Sequence, residues 1–139
     1  MLQIEKLSVA YGAEAVVKGL DWSVGGQDSL VTALLGPSGC GKSTLIRAVA
    51  GLERPTAGTI RFDGTDLAEI ATHRRDFGVV FQDGQLFPGR TVAANIGYGL
   101  RVRGWSRADI AARVVQMLEL VRLPGVEKRR VESLSGGQA

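Results

Sequence analysis

Nine consecutive residues carry the clearest chemistry in this sequence: Gly36-Pro37-Ser38-Gly39-Cys40-Gly41-Lys42-Ser43-Thr44. They fit the phosphate-binding loop pattern G-x-x-x-x-G-K-[ST] without a mismatch. Glycines at this spacing let backbone N–H groups turn inward around phosphate oxygens, and a helix beginning at the lysine adds its partial positive charge. Lys42 would reach the β- and γ-phosphates of a nucleoside triphosphate, and the Ser43 hydroxyl would ligate Mg²⁺. The bland alternative is a glycine-rich turn that arose by chance.

What decides between the two is the pair of elements that must hold such a loop. Before it, Ser29-Leu30-Val31-Thr32-Ala33-Leu34-Leu35 is apolar and branched enough for a buried strand. After it, Lys42 to Gly51 reads as a helix with Leu45, Ile46 and Val49 on one face, closed by Gly51. Strand, loop and helix in that order favour the phosphate reading.

The remaining elements follow from pattern. Leu2, Ile4, Leu7 and Val9 mark a half-buried strand, and Val16, Leu20, Trp22 and Val24 mark a second between Ala15 and Val24. Gly25-Gly26-Gln27-Asp28 is expected as a hairpin-type turn. Thr59 to Phe62 is a short strand ended by Asp63-Gly64, Leu67 to Ile70 a helical turn, and Phe77 to Phe81 a strongly apolar strand. Character changes at about residue 90. Thr91 is placed to cap a helix reaching Val102, and Ser106-Arg107-Ala108-Asp109 fits a capping box before a helix bearing Ile110, Val114, Met117, Leu118 and Val121. The expected fold class is α/β, with strand-rich residues 1–89 and a helical region over 90–139.

Composition bounds the function. At 139 residues and 45% apolar, the chain is one domain's worth with a real core. No run approaches the ~18 apolar residues of a membrane span. The N-terminus lacks the layout of a signal peptide. Cys40 is the single cysteine, which agrees with a reducing compartment and a cytosolic location. Net charge is +3, divided as −2 over residues 1–83 and +5 over 84–139. A basic half could face nucleic acid or an anionic membrane surface, but a solvated helical face is favoured over both, and no aromatic residues interleave with the basic ones as a nucleic-acid platform requires. Trp22, Trp105 and Met117 read as packing residues. His73, in the polar stretch His73-Arg74-Arg75-Asp76, has no partner for metal or catalytic work and reads as solvated surface.

One further motif remains. Leu134-Ser135-Gly136-Gly137-Gln138 follows the helical region, and Gln82 follows the Phe77–Phe81 stretch. A phosphate loop, a strand ending in glutamine, a helical insert and LSGGQ, in that order over the whole chain, resemble the nucleotide-binding subunit of an ATP-binding cassette (ABC) transporter. The resemblance implies a P-loop NTPase core with an N-terminal antiparallel β patch and an α-helical subdomain ending in the signature motif. It implies that Tyr11 stacks on the adenine ring, that Gly36 to Thr44 hold the phosphates, and that Lys42 and Gln82 serve catalysis. Ser43 and Gln82 would contact Mg²⁺. Ser135, Gly136, Gly137 and Gln138 would meet the γ-phosphate of ATP held by a second subunit in a head-to-tail dimer. The implied partners are that second subunit and a transmembrane permease, at the cytoplasmic face of the plasma membrane, with no nucleic acid. Phe81-Gln82-Asp83 followed by Leu86-Phe87-Pro88 looks like importers of ferric iron, polyamines or similar small solutes.

The resemblance also sets what is not found. In the family a strand ending in the Walker B aspartate follows the signature, then a glutamate that polarises water, then a histidine. Asp63, Asp66 and Asp76 all precede the signature and end no apolar strand. The chain is therefore expected to be the N-terminal part, somewhat over half, of a cassette subunit, and to be inactive in hydrolysis by itself. Alternatives are a non-catalytic nucleotide-binding remnant, or a soluble cassette ATPase working on DNA or ribosomes. The short insert between Gln82 and Leu134, without a coiled coil, argues against the last.

Overall fold

The computed structural model describes residues 1–25 and 31–138, which form two compact units, Met1–Val80 and Phe81–Ala139. In the first unit β1 (Leu2–Tyr11) pairs antiparallel with β2 (Glu14–Val24) on one side and with β3 (Ala57–Phe62) on the other; a two-residue β4 (Thr65–Asp66) completes the sheet in the order β2-β1-β3-β4. Helix α1 (Lys42–Ala50) packs onto it.

The apolar pattern of β1 changes phase between Ile4 and Leu7, and a bulge explains why. Lys6 adopts φ 50°, the pairing slips between Ile4 and Leu7, and both residues face the core. Gly19 (φ 55°) sits at a matching irregularity on β2. Each site has its amide satisfied by the opposite strand: Lys6 N–H donates to Asp21 Oδ1 at 2.8 Å, and Gly19 N–H donates to Ser8 Oγ at 3.0 Å. The Lys6 ammonium also meets Asp21 Oδ2 at 2.6 Å, which raises the lysine pKa and lowers that of the aspartate. The phase change on β2 makes Val17, rather than the expected Val16, the buried residue opposite Val9. Gly58 of β3 passes so close to the bulge that a Cβ would lie 2.4 Å from the Lys6 carbonyl oxygen.

The first core gathers Ile4, Leu7, Val9, Val17, Leu45 and Ile60, with Trp22 packed at its edge as expected. Burying each such side chain contributes about 1.5–3 kcal/mol. Helix α1 ends on Gly51 in the left-handed conformation, as its sequence predicts, but Ile46 is 47% exposed; Ala48 and Ala50 complete the inward stripe in its place.

Two expected strands are not formed among the described residues. Ser29 and Leu30, like Gly26 to Asp28 of the expected turn, lie outside the described residues. Val31 to Leu35 has no ladder partner among the described residues, and Val31 and Leu35 are 88% and 92% exposed. Phe77 to Phe81 likewise carries no ladder, and Val80 is 99% exposed. A strand exists only through hydrogen bonds to a neighbour, so apolar composition alone does not make one. Leu34, Phe77 and Val79 instead line an apolar groove of about 240 Å³ beside Leu45 and Val49.

In the second unit the expected helix from Thr91 divides at Gly97 into α2 (Val92–Ile96) and α3 (Tyr98–Val102). Gly97 lies so close to Ile110 that a Cβ there would be 2.7 Å from its Cγ2. Thr91 caps α2 by accepting from Ala94 N–H, and Ser106 caps α4 (Arg107–Leu120) by accepting from Asp109 N–H. Val114 and Leu118 are buried with Val92 and Val131, while Val121 lies past the helix end and is exposed. The unit closes on itself: Val92 N–H donates to Arg129 O (2.9 Å), Ala93 N–H to Glu127 O (3.0 Å) and Val131 N–H to Arg90 O (3.2 Å), around a Thr91–Arg130 bridge. No helix among the described residues is long and apolar enough to cross a membrane.

Candidate functional site

The glycine loop turns as its chemistry requires. Gly39 and Gly41 adopt φ 79° and 92°, and the Gly41 carbonyl accepts the first helical bond from Leu45 N–H at 2.8 Å. Left-handed φ values reverse the direction of successive amides and open an anion-sized concavity. Gly41 is also sterically compelled. A Cβ there would lie 3.1 to 3.2 Å from Val16 and Val17, so β2 and the loop are pressed together at this point. No side chain caps the N-terminus of α1, which leaves its first-turn N–H groups for an outside acceptor.

Lys42 Nζ folds over this concavity, donating to Gly36 O at 2.8 Å and Pro37 O at 2.7 Å, with Cys40 Sγ at 3.5 Å. The ammonium is therefore held at the mouth of the loop by neutral carbonyls, which an anionic ligand would outcompete. Ser38, Gly39 and Cys40 are exposed, Ser43 is exposed in the first helical turn, and Thr44 is buried. The loop thus brings together an uncapped helix start, the Lys42 ammonium and an exposed hydroxyl one residue into the helix. Among the described residues no group of three or more His, Cys, Asp or Glu could hold a metal ion. A Mg²⁺ at Ser43 would be held mainly by phosphate oxygens and water, as this ion prefers.

The other predicted residues are placed as follows. Tyr11 ends β1 with its ring 47% exposed and its hydroxyl donating to Glu53 Oε2 at 3.0 Å. Gln82 lies exposed at the start of the second unit. The LSGGQ segment follows a short 3₁₀ turn, Val131–Ser133. Leu134 packs at the edge of the helical core, and Ser135 to Gln138 form an exposed turn closed by Gln138 N–H to Ser135 O (2.8 Å) and Ser135 N–H to Gln138 Oε1 (3.2 Å). Glu132 accepts from Gly89 N–H, which holds its carboxyl below the ordinary range, with Arg130 adding to the effect.

Two residues gave no functional signal in the sequence. Asn95 clamps Phe87, accepting from its N–H at 2.7 Å and donating to its carbonyl at 3.3 Å, and Phe87 stacks tilted on Tyr98 at 4.6 Å. Arg75, inside a stretch that reads as solvated surface, is partly buried; its neighbour His73 is exposed as expected.

Loop, helix, sheet and signature turn define an ATP-binding cassette, and the chain belongs to the ABC transporter family, whose model matches residues 18–139. Among curated relatives, it is 49% identical over 138 residues to the Fe(3+) ions import ATP-binding protein FbpC of Streptomyces coelicolor, covering 99% of this chain and 39% of that protein. The Pasteurella multocida protein of the same name is 46% identical over 137 residues, with the same two coverages. The chain therefore spans about two fifths of the length of these relatives. Among solved structures, the dimeric post-hydrolysis state of the ATP-binding cassette MJ0796 bound to ADP and Pi superposes with a TM-score of 0.85 at 26% identity, covering 99% of this chain and 65% of that one.

Proposed function

We propose that this chain is the ATP-binding part of an ABC importer subunit that couples ATP binding and hydrolysis to solute uptake. The observation that carries the reading is the loop from Gly36 to Thr44, with Gly39 and Gly41 in the left-handed region and the Lys42 ammonium bonded to two of its carbonyls. Gly36 to Thr44 would hold the phosphates of Mg·ATP, and the nucleotide supplies the phosphoryl group whose hydrolysis drives the cycle. Ser43 and Gln82 would touch the metal, and Tyr11 would stack on the base through its exposed ring face. Ser135, Gly136, Gly137 and Gln138 would engage ATP held by a second copy of the subunit, giving a head-to-tail dimer seated on a permease at the cytoplasmic face of the membrane. The relatives named for ferric iron import favour iron as the solute.

Titration with the fluorescent analogue TNP-ATP in the presence of Mg²⁺ tests the reading. Lys42→Ala should weaken binding about 10- to 100-fold, the worth of one charge-assisted hydrogen bond to phosphate, while leaving the unfolding midpoint nearly unchanged. Equal binding by both proteins would refute the role of Lys42. Cys40, exposed within the loop, should alkylate more slowly when Mg·ATP is added; an unchanged rate would place the nucleotide elsewhere.

A further inference from the structure

One side chain bonds both the closing carbonyls of α1 and a neighbouring turn. Arg75 donates from Nη1 to Val49 O (2.9 Å) and Ala48 O (3.1 Å), from Nε to Ile70 O (2.9 Å) and from Nη2 to Leu67 O (2.8 Å). Thr72 Oγ1 adds a bond to Gly51 O at 2.6 Å. The closing carbonyls of a helix lack intrahelical partners, and its C-terminal end carries partial negative charge. A guanidinium answers both needs. Its planar fork also reaches carbonyls in two separate segments, which a lysine ammonium cannot match in geometry. Gly51 makes room for it: a Cβ there would lie 2.7 Å from Arg75 Nε.

The turn from Leu67 to Ile70 is itself anchored, because Leu67 is 4% exposed in the first core. Arg75 thus ties the far end of α1 to a fixed point. The near end is pressed onto β2 at Gly41. A helix of nine residues is about 14 Å long, short enough that a tilt at one end displaces the other. Its N-terminal amides must converge on phosphate oxygens within a few tenths of an ångström to hold hydrogen bonds.

We infer that Arg75 is a positioning residue for nucleotide binding: by fixing the C-terminus of α1 it sets the orientation of the loop and first-turn amides at the other end. This rests on the reading of Gly36 to Thr44 as the nucleotide site. The test measures Mg·TNP-ATP affinity and the urea unfolding midpoint for the whole chain and for Arg75→Met, Arg75→Lys, Thr72→Val and Ile60→Val. The last is a substitution on β3 in the same core that leaves every bond of Arg75 in place, serving as a measure of how much affinity follows general stability. Arg75→Met should weaken binding about tenfold, Arg75→Lys nearly as much, and Thr72→Val by a smaller factor. Ile60→Val should leave affinity unchanged although it lowers the midpoint. The inference fails if Arg75→Met or, where that variant does not fold, Arg75→Lys and Thr72→Val bind as the parent does. It fails equally if affinity tracks the midpoint on one line through all variants, Ile60→Val included, since Arg75 would then only stabilise. Absence of binding by the unmodified chain would instead overturn the nucleotide reading, and this inference with it.

Discussion

The two glycine-bearing motifs of this chain are built in opposite ways. The loop at Gly36 to Thr44 is constrained by its surroundings: a Cβ at Gly41 would crowd β2 at 3.1 to 3.2 Å, and its φ of 92° is strained for any other residue. The turn at Ser135 to Gln138 is free of such demands. Gly136 and Gly137 have nothing within 4 Å of a would-be Cβ, and neither is in the left-handed region. The first motif is thus shaped by the core that carries it. The second receives only its starting point, Leu134, from a core. Among the described residues nothing crowds a Cβ at either glycine.

The sharpest break of this comparison would come at Gly41. Gly41→Ala should lower folding stability by about 1–3 kcal/mol, from strained φ and the close approach to Val16 and Val17, and should abolish measurable Mg·TNP-ATP binding. Urea unfolding and titration check both; a variant that keeps affinity would show that the loop tolerates displacement. At the signature the expectation reverses. Gly136→Ala and Gly137→Ala should change stability by less than about 0.5 kcal/mol and leave nucleotide affinity of the chain unaltered. In a dimeric, hydrolysing form of a longer relative the same substitutions should reduce turnover; unaffected turnover would count against the proposed contact across the dimer. The smallest effect is expected at Glu132. Its folded pKa is lowered by Gly89 N–H, so its contribution is present above the ordinary glutamate pKa and lost as pH falls through the lowered folded value. Hydrogen exchange at the Gly89 amide should accelerate across that acidic window relative to its intrinsic rate, and Glu132→Gln should remove the pH dependence. A Gly89 amide whose protection ignores pH would show that the carboxylate holds nothing there.

How much of this was legible beforehand depended on how local the cause is. The caps at Thr91 and Ser106 and the stop at Gly51 are encoded within a few adjacent residues, and all appear where the sequence places them. Strand formation by Val31–Leu35 and Phe77–Phe81 needed partners that local apolarity cannot specify. The choice of Val17 over Val16 turned on the irregularity at Gly19, a pairing property rather than a pattern. Arg75 was hidden for a related reason: its four acceptors lie 5 to 27 residues away, and they are backbone carbonyls, which leave no trace in residue type. The roles of Tyr11, Gln82 and Ser135 came from resemblance and stand as proposals.

The hydrogen-bonded stem of the second unit has a consequence for how the protein can be altered. Because Arg90–Ala93 and Glu127–Val131 are zipped together, the helices between them form a closed excursion whose two ends are joined by backbone hydrogen bonds. Lengthening that excursion at the Arg103–Trp105 link costs only about 0.6 kcal/mol per doubling of a flexible loop. The entry of Leu134 and the turn behind it would keep their register. The helical insert is therefore a natural place to graft an epitope, a fluorophore site or a longer hairpin.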